Sequence, residues 1–325
     1  MIGAGRIGYV HALAISMLSN VKIKNVYDMN TDAANRIASE FGANAVASES
    51  EALNDPDVCG VIICSPSSTH CRLILEAMEL NKHVFCEKPL SLNRQEAEAC
   101  VTSLEGKDII CSLGFNRRYD PSFHALKNRL DQGEVGSVET VHLTSRDPAL
   151  PSFEYLSTSG GIFHDMMIHD FDMGRWLLGE EPTSIFATGS RLVDPKLESI
   201  NDYDTATVVM RSDSGKLCTI LNNRRAIYGY DQRIEVLGSK GLLQADNKLP
   251  TTVRILSEHA VSEDNPEYFF LERYKEAYQL EISNFIECIE GKSSPLSSPR
   301  DGLMALRLAD AALKSSQSGK YEPIL

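Results

Sequence analysis

Three things are scarce in this sequence. Positive charge is the first: 32 lysines and arginines stand against 45 aspartates and glutamates, a formal net charge of −13. So acidic a chain is poorly suited to nucleic acid or an anionic membrane surface, and an anionic ligand must be held by local donors. Long apolar runs are the second. None approaches the ~18 residues of a membrane span. No basic patch precedes an apolar stretch at the start, so no signal peptide is expected. Paired cysteine motifs are the third. Cys59, Cys64, Cys71, Cys86, Cys100, Cys111, Cys218 and Cys288 form no C-x-x-C pair. Several lie in apolar runs such as "CGVIIC", where cysteine behaves as a small hydrophobe. A reducing, cytoplasmic setting is expected, and no metal site. Internal repeats and low-complexity tracts are absent as well.

What is present suits a globular α/β protein. A length of 325 residues is enough for two domains. The first third alternates strand-like and helix-like segments: "IKNVYDMN", "DAANRIASEFG", "CGVIICSPSSTH", "HCRLILEAMELNK", "HVFCEKP", "NRQEAEACVTSL" and "DIICSLGFN". That rhythm indicates a parallel sheet covered by helices on both faces. Beyond residue 115 it changes. One helix and a strand precede a helical stretch, "FHDMMIHDFDMGRWLLG". Strand candidates "SIFATGSRLV", "DTATVVMRS", "GKLCTILNNRR" and "QRIEVLG" then follow in quick succession, and two helices end the chain. The expected division is 1–114, a Rossmann-type domain, and 115–325, an α+β domain with a large, mostly antiparallel sheet.

Gly3, Gly5 and Gly8 spell G-x-G-x-x-G in "GAGRIG", ahead of the helical stretch "YVHALAISML". Such a loop wraps a dinucleotide pyrophosphate. Arg6 and Ile7 complete it, with Arg6 a candidate phosphate partner. Asp28 stands 20 residues after Gly8, near the end of the next strand candidate. An acid there accepts hydrogen bonds from the adenosine ribose and repels a 2′-phosphate, which favours NAD over NADP. Its plainer reading is a solvated turn residue, which the glycine loop makes the weaker one. Ser65, Pro66 and Thr69 of "CSPSSTH" follow a strand at the same sheet edge, where the nicotinamide would lie, although a loop closed by a helix cap explains each alone. Only Met1 and Ile2 precede the loop, where a strand of ~5–6 residues is usual. The expectation is a first strand cut short, so that about five added β-favouring residues would raise the melting temperature and tighten NAD binding.

"CEKP" and "DMMIHDFD" carry the candidate chemistry. Lys88 follows a strand end, next to Pro89, within reach of a nicotinamide and a substrate hydroxyl; most isolated lysines are simply surface residues. Asp165 and His169 are four apart, so on one helix they share a face. A carboxylate beside an imidazole fixes its tautomer and stabilises its protonated form, as a general base requires. Asp172 is the alternative partner. Taken alone, the stretch would read as a surface ion pair.

The ordered set "GAGRIG", "CSPSSTH", "CEKP", "GFNRRYD", "SRDP", "SGGIFHDMMIHDFDMGRWLLGE" and "YGYDQRIEVLGSKG" resembles the glucose–fructose oxidoreductase / inositol dehydrogenase (Gfo/Idh/MocA) family over nearly the whole chain, with its inositol 2-dehydrogenase members the most similar. The resemblance implies a Rossmann domain followed by an open-faced α/β domain. It makes Lys88, Asp165 and His169 the catalytic set and adds Glu87 to the cofactor site. Arg118, Asp147 and Tyr230 match substrate-facing positions, with Asp147 standing where some members carry asparagine. A carboxylate there accepts hydrogen bonds from a polyol but cannot donate. The implied reaction is NAD-dependent oxidation of a secondary hydroxyl of a cyclic polyol, myo-inositol to its 2-keto form, in a homodimer or homotetramer. Another sugar or anhydro-sugar is the alternative substrate. A non-enzymatic sensor of the same fold is the alternative class, against which Lys88, Asp165 and His169 together argue.

Overall fold

The computed structural model describes residues 1–324. The chain forms two compact units. Residues 1–119 and 276–306 make the first; residues 120–275 and those from Arg307 onward make the second.

In the first unit, helix α1 (Arg6–Ser16), strand β1 (Asn25–Val26), α2 (Thr31–Phe41), β2 (Asn44–Ala45), α3 (Glu49–Asn54), β3 (Gly60–Ile63), α4 (His70–Glu79), β4 (His83–Glu87), α5 (Arg94–Leu104) and β5 (Cys111–Gly114) follow in chain order. Local chemistry sets several boundaries. Asn30 and Asn93 accept from the first-turn amides of α2 and α5, and Gly42 ends α2 in the left-handed conformation. Strands β3, β4 and β5 pair in parallel, as do β1 and β2. Ile2 joins the two groups, bridging Tyr27 on one side and Ile63 on the other. Ile2 N–H donates to Ile62 O at 2.9 Å, Cys64 N–H to Ile2 O at 2.7 Å, and Gly3 N–H to Tyr27 O at 2.9 Å. Met1–Gly3 thus fill the central position of a Rossmann strand order.

The division of the chain differs from the expected single crossing near residue 114. The helix Lys275–Ile289 contributes Ile282 and Phe285 to the core of the first unit, beside Val26, Ile37, Ile62 and Phe85. Apolar residues at helical spacing show that this helix buries a face, but not against which sheet.

The second unit holds α6 (Pro121–Asp131), β6 (Val138–Arg146), α7 (Phe153–Leu156), α8 (Gly161–Asp165), α9 (Ile168–Leu178), β7 (Pro182–Ser190), β8 (Thr205–Ser212), β9 (Leu217–Asn223), β10 (Asp231–Gly238), β11 (Gly241–Ala245), β12 (Arg254–Leu256), β13 (Val261–Glu263) and α10 (Phe270–Arg273). Helix α11 (Lys275–Ile289), α12 (Pro299–Ser318) and β14 (Glu322–Pro323) complete the chain. Seven strands form one sheet in the order β11-β10-β6-β9-β8-β7-β14; β6 and β9 run parallel and the other pairs antiparallel. Burial alternates along the strands: Val141, Leu143 and Ser145 of β6 are buried, while His142 is exposed on the other face. Helix α9 lies on the buried face. Its Asp170 accepts from Ser145 Oγ at 2.6 Å and Asn222 Nδ2 at 3.0 Å, which ties the helix to β6 and β9.

The single helix expected over "FHDMMIHDFDMGRWLLG" is in fact two. It breaks at Met166–Met167, where Met167 N–H donates to Ile162 O, five residues back, at 2.8 Å. This wider, π-type turn separates Asp165, the last residue of α8, from His169, the second of α9.

Candidate active site

The glycine loop fits a pyrophosphate. Gly3 has φ +99°, and a Cβ added there would lie 2.4 Å from the Cys64 carbonyl carbon. A Cβ on Gly8 would lie 2.3 Å from Gly3 O, so this glycine lets α1 pack against its own entry turn. Nothing lies within 4 Å of the corresponding point on Gly5, which leaves that backbone open to approach. Gly5 caps α1 with no side-chain hydrogen bond, so the helix presents its N-terminal amides and positive dipole end to an anion. Arg6 is exposed beside it and Ile7 half-buried. Asp28 pins the loop: Oδ2 accepts from Ala4 N–H at 2.6 Å and Oδ1 from Asn30 N–H at 2.7 Å. Each oxygen keeps a lone pair for a ribose hydroxyl.

At the neighbouring strand end, Ser65 Oγ and Thr69 Oγ1 are 2.6 Å apart, and Thr69 Oγ1 donates to Pro66 O at 2.8 Å. His70 connects this loop to the next. Its Nε2 lies 2.9 Å from Ser65 O and its Nδ1 2.7 Å from Pro89 O. Burial lowers its pKa, and the two carbonyls oppose that shift. The histidine ending "CSPSSTH" is the one sequence signal for this link.

Lys88 follows β4 and is half-buried. Glu87 points elsewhere: its Oε1 lies 2.6 Å from His11 Nε2, and Oε2 accepts from Lys88 N–H at 3.1 Å. Behind this pair, Glu281 is buried with no hydrogen-bond partner on either carboxyl oxygen. Burial, and then the Glu87 charge, push its pKa well above the carboxyl range. Arg118 is buried in the same unit, its Nη2 2.9 Å from Asp301 Oδ1 and its Nη1 bonded to Leu296 O.

In the second unit, Asp165 and His169 are the only residues between 162 and 175 that are not buried. Both are half-buried, while their neighbours pack inward. Asp165 Oδ1 accepts from Tyr155 Oη at 2.7 Å, and Arg224 Nη2 lies 3.6 Å from Oδ2. Asp172, the alternative partner, is buried beside Arg175, with 3.9 Å between Oδ1 and Nη1. Asp147 is half-buried after β6; its backbone N–H donates to Asn223 O and its carbonyl accepts from Ala226 N–H. Tyr230 is buried, its ring edge-on to Tyr274 with centroids 5.9 Å apart. Next to it, Asp231 would be raised by burial. Hydrogen bonds from Arg233, Tyr228 and Asn247 outweigh that and bring its pKa to about 2. Tyr155, Arg224 and His11 had drawn no attention in the sequence, because none belongs to a spaced motif.

A Rossmann unit with an open glycine cradle, an acid at the end of the second strand of its sheet, and a separate sheet unit presenting a carboxylate and an imidazole define a nicotinamide-dependent oxidoreductase. Residues 1–115 match the oxidoreductase-family NAD-binding Rossmann fold, and residues 127–324 match that family's C-terminal alpha/beta domain. The chain belongs to the Gfo/Idh/MocA oxidoreductase family. It is 43% identical to the myo-inositol 2-dehydrogenase of Thermotoga maritima over 329 residues, covering 100% of this chain and 98% of the relative. A crystal structure of a myo-inositol dehydrogenase from Corynebacterium glutamicum superposes with a TM-score of 0.95 at 40% identity, covering 100% of this chain and 97% of that one. The Lactobacillus casei myo-inositol dehydrogenase in complex with NAD(H) and myo-inositol is also similar, with a TM-score of 0.89, 27% identity, and coverage of 100% and 95%. The expected family, fold class and cofactor are borne out. No helix among the described residues is long and apolar enough to cross a membrane.

Proposed function

We propose that this chain oxidises a secondary hydroxyl of a cyclic polyol, with myo-inositol as the first candidate and its 2-keto form as product. The observation that carries the reading is that Asp165 and His169 are the two residues left partly accessible in an otherwise buried stretch. The similarity to inositol dehydrogenases supports the choice of polyol.

Gly3, Gly5, Arg6, Ile7 and Gly8 hold the pyrophosphate, Asp28 the adenosine ribose, and Ser65, Pro66 and Thr69 the nicotinamide side. NAD, when bound, supplies the hydride acceptor. His169 accepts the hydroxyl proton at its imidazole, and Asp165 orients that imidazole and stabilises its charged form. Lys88 donates to the reacting oxygen, and Glu87 fixes the Lys88 backbone through its carboxylate. Asp147 accepts from polyol hydroxyls. Tyr230 and Arg118 shape the substrate side through the elements they anchor.

The exposed face of the seven-stranded sheet carries Leu217, Leu221, Leu237 and Leu242, and we assign it to a homo-oligomer interface. All eight cysteines are free thiols.

The test is a panel of myo-inositol, scyllo-inositol, hexoses and anhydro-sugars with NAD, read as reduced-nicotinamide absorbance. The reading expects the highest kcat/KM for an inositol. A hexose or anhydro-sugar preferred over every inositol would contradict it.

A further inference from the structure

Arg224 is the largest fully buried side chain among the described residues. It follows β9 directly, and its backbone N–H donates to Asp204 O at 2.8 Å. A guanidinium keeps its proton at any pH a protein tolerates. Removing one from water is costly unless a counter-charge and hydrogen bonds compensate. Here no protein acceptor lies within hydrogen-bond distance of Nε, Nη1 or Nη2. The compensating charge is Asp165, whose Oδ2 lies 3.6 Å from Nη2. The other carboxylate oxygen, Oδ1, accepts from Tyr155 Oη at 2.7 Å. Burial, and then the charge of Asp165, push the Tyr155 phenol above its ordinary pKa of 10.0, so it remains a donor.

We propose that Arg224 and Tyr155 are positioning residues that clamp the Asp165 carboxylate for its work on His169. The inference rests on the reading of Asp165 as the partner of the general base. The geometry suits that role. Each carboxylate oxygen accepts about two hydrogen bonds. Tyr155 uses one site on Oδ1 and fixes the carboxylate plane. Arg224 stands just beyond hydrogen-bond distance, so it stabilises the charge without occupying Oδ2. When His169 takes up the hydroxyl proton, the new positive charge meets a carboxylate already held in place, and little reorganisation is needed.

A double-mutant cycle on the full-length enzyme tests the clamp. Arg224→Met should lower kcat about tenfold or more and leave the Kd for NAD unchanged, with Arg224→Lys restoring most of the loss. In an Asp165→Asn background, Arg224→Met should change kcat by no more than about twofold, because the group it acts through is already lost. Tyr155→Phe, which removes only the hydroxyl from a residue that is 49% exposed as a whole, gives a second cycle and should show the same non-additivity. If Arg224→Met does not fold, the Tyr155 cycle decides. An equal fall in both backgrounds overturns the clamp. An Asp165→Asn enzyme as fast as wild type removes Asp165 from the mechanism, which is a failure of the underlying reading and is recognisable as such.

Discussion

His11 Nε2 lies 2.6 Å from Glu87 Oε1, and through this contact helix α1 grips the residue that precedes Lys88. His11 is fully buried, with the rings of Phe85 and Tyr278 edge-on to it at 4.9 and 5.7 Å. The contact joins the helix that follows the glycine loop to the strand end that carries Lys88.

Replacing His11 with leucine leaves Glu87 without this partner. A hydrogen bond to a charged group contributes about 1.5–3 kcal/mol, and His11→Leu should lower unfolding stability by an amount in that range in urea titration. It should also raise the KM for NAD, since α1 and the Lys88 segment lose their link. Unchanged stability and KM would show the contact to be incidental.

Glu281 has the opposite sign. The unfolded chain releases this proton near its ordinary pKa of 4.5, whereas the folded chain holds it. Its burial therefore costs stability progressively as pH rises above that value. Glu281→Gln should raise the melting temperature at pH 7 and leave it unchanged near pH 4. A melting temperature that falls at pH 7 would mean that the carboxyl has a partner it needs.

Asp28 holds the loop through Ala4 N–H, and we assign it the adenosine ribose as well; its replacement should affect both. Asp28→Ser should narrow the preference for NAD over NADP, because the repelling charge is gone. It should also weaken NAD itself, because Ala4 N–H loses its 2.6 Å acceptor. A wild-type enzyme that uses NADP better than NAD would refute the ribose assignment.

The exposed sheet face should be covered in solution. Light scattering at micromolar concentration should report a dimer or tetramer, and a charged substitution at Leu221 should dissociate it. A stable monomer would leave the row of exposed leucines unexplained.

Much of this was legible in the sequence where one residue type has one physical use. Gly3, Gly5 and Gly8 were readable because a turn, an open backbone and a close approach each require glycine. Helices α2 and α5 were readable from the alternation of strand-like and helix-like segments. The break between α8 and α9 was not: no glycine or proline marks Met166–Met167, and the π-type turn is set by how the flanking residues pack. The return of residues 276–306 to the first unit was also hidden, since Ile282 and Phe285 announce burial but not their partners. The hairpin of β12 and β13 escaped notice because each of its strand residues is exposed and leaves no alternation to read. Arg224 escaped because an arginine in "NNRRAIYGYD" looks like a surface charge until its burial is known.

His169 is proposed as the proton acceptor, and its replacement is the most direct test. Wild-type enzyme and His169→Ala should be compared with myo-inositol and NAD, following reduced-nicotinamide absorbance across pH and measuring the Kd for NAD separately. The wild type should reduce NAD, and the variant should lose about 10²–10⁴-fold in kcat with its Kd for NAD essentially unchanged. A variant that turns over at the wild-type rate across the pH range would contradict the account and require a different base.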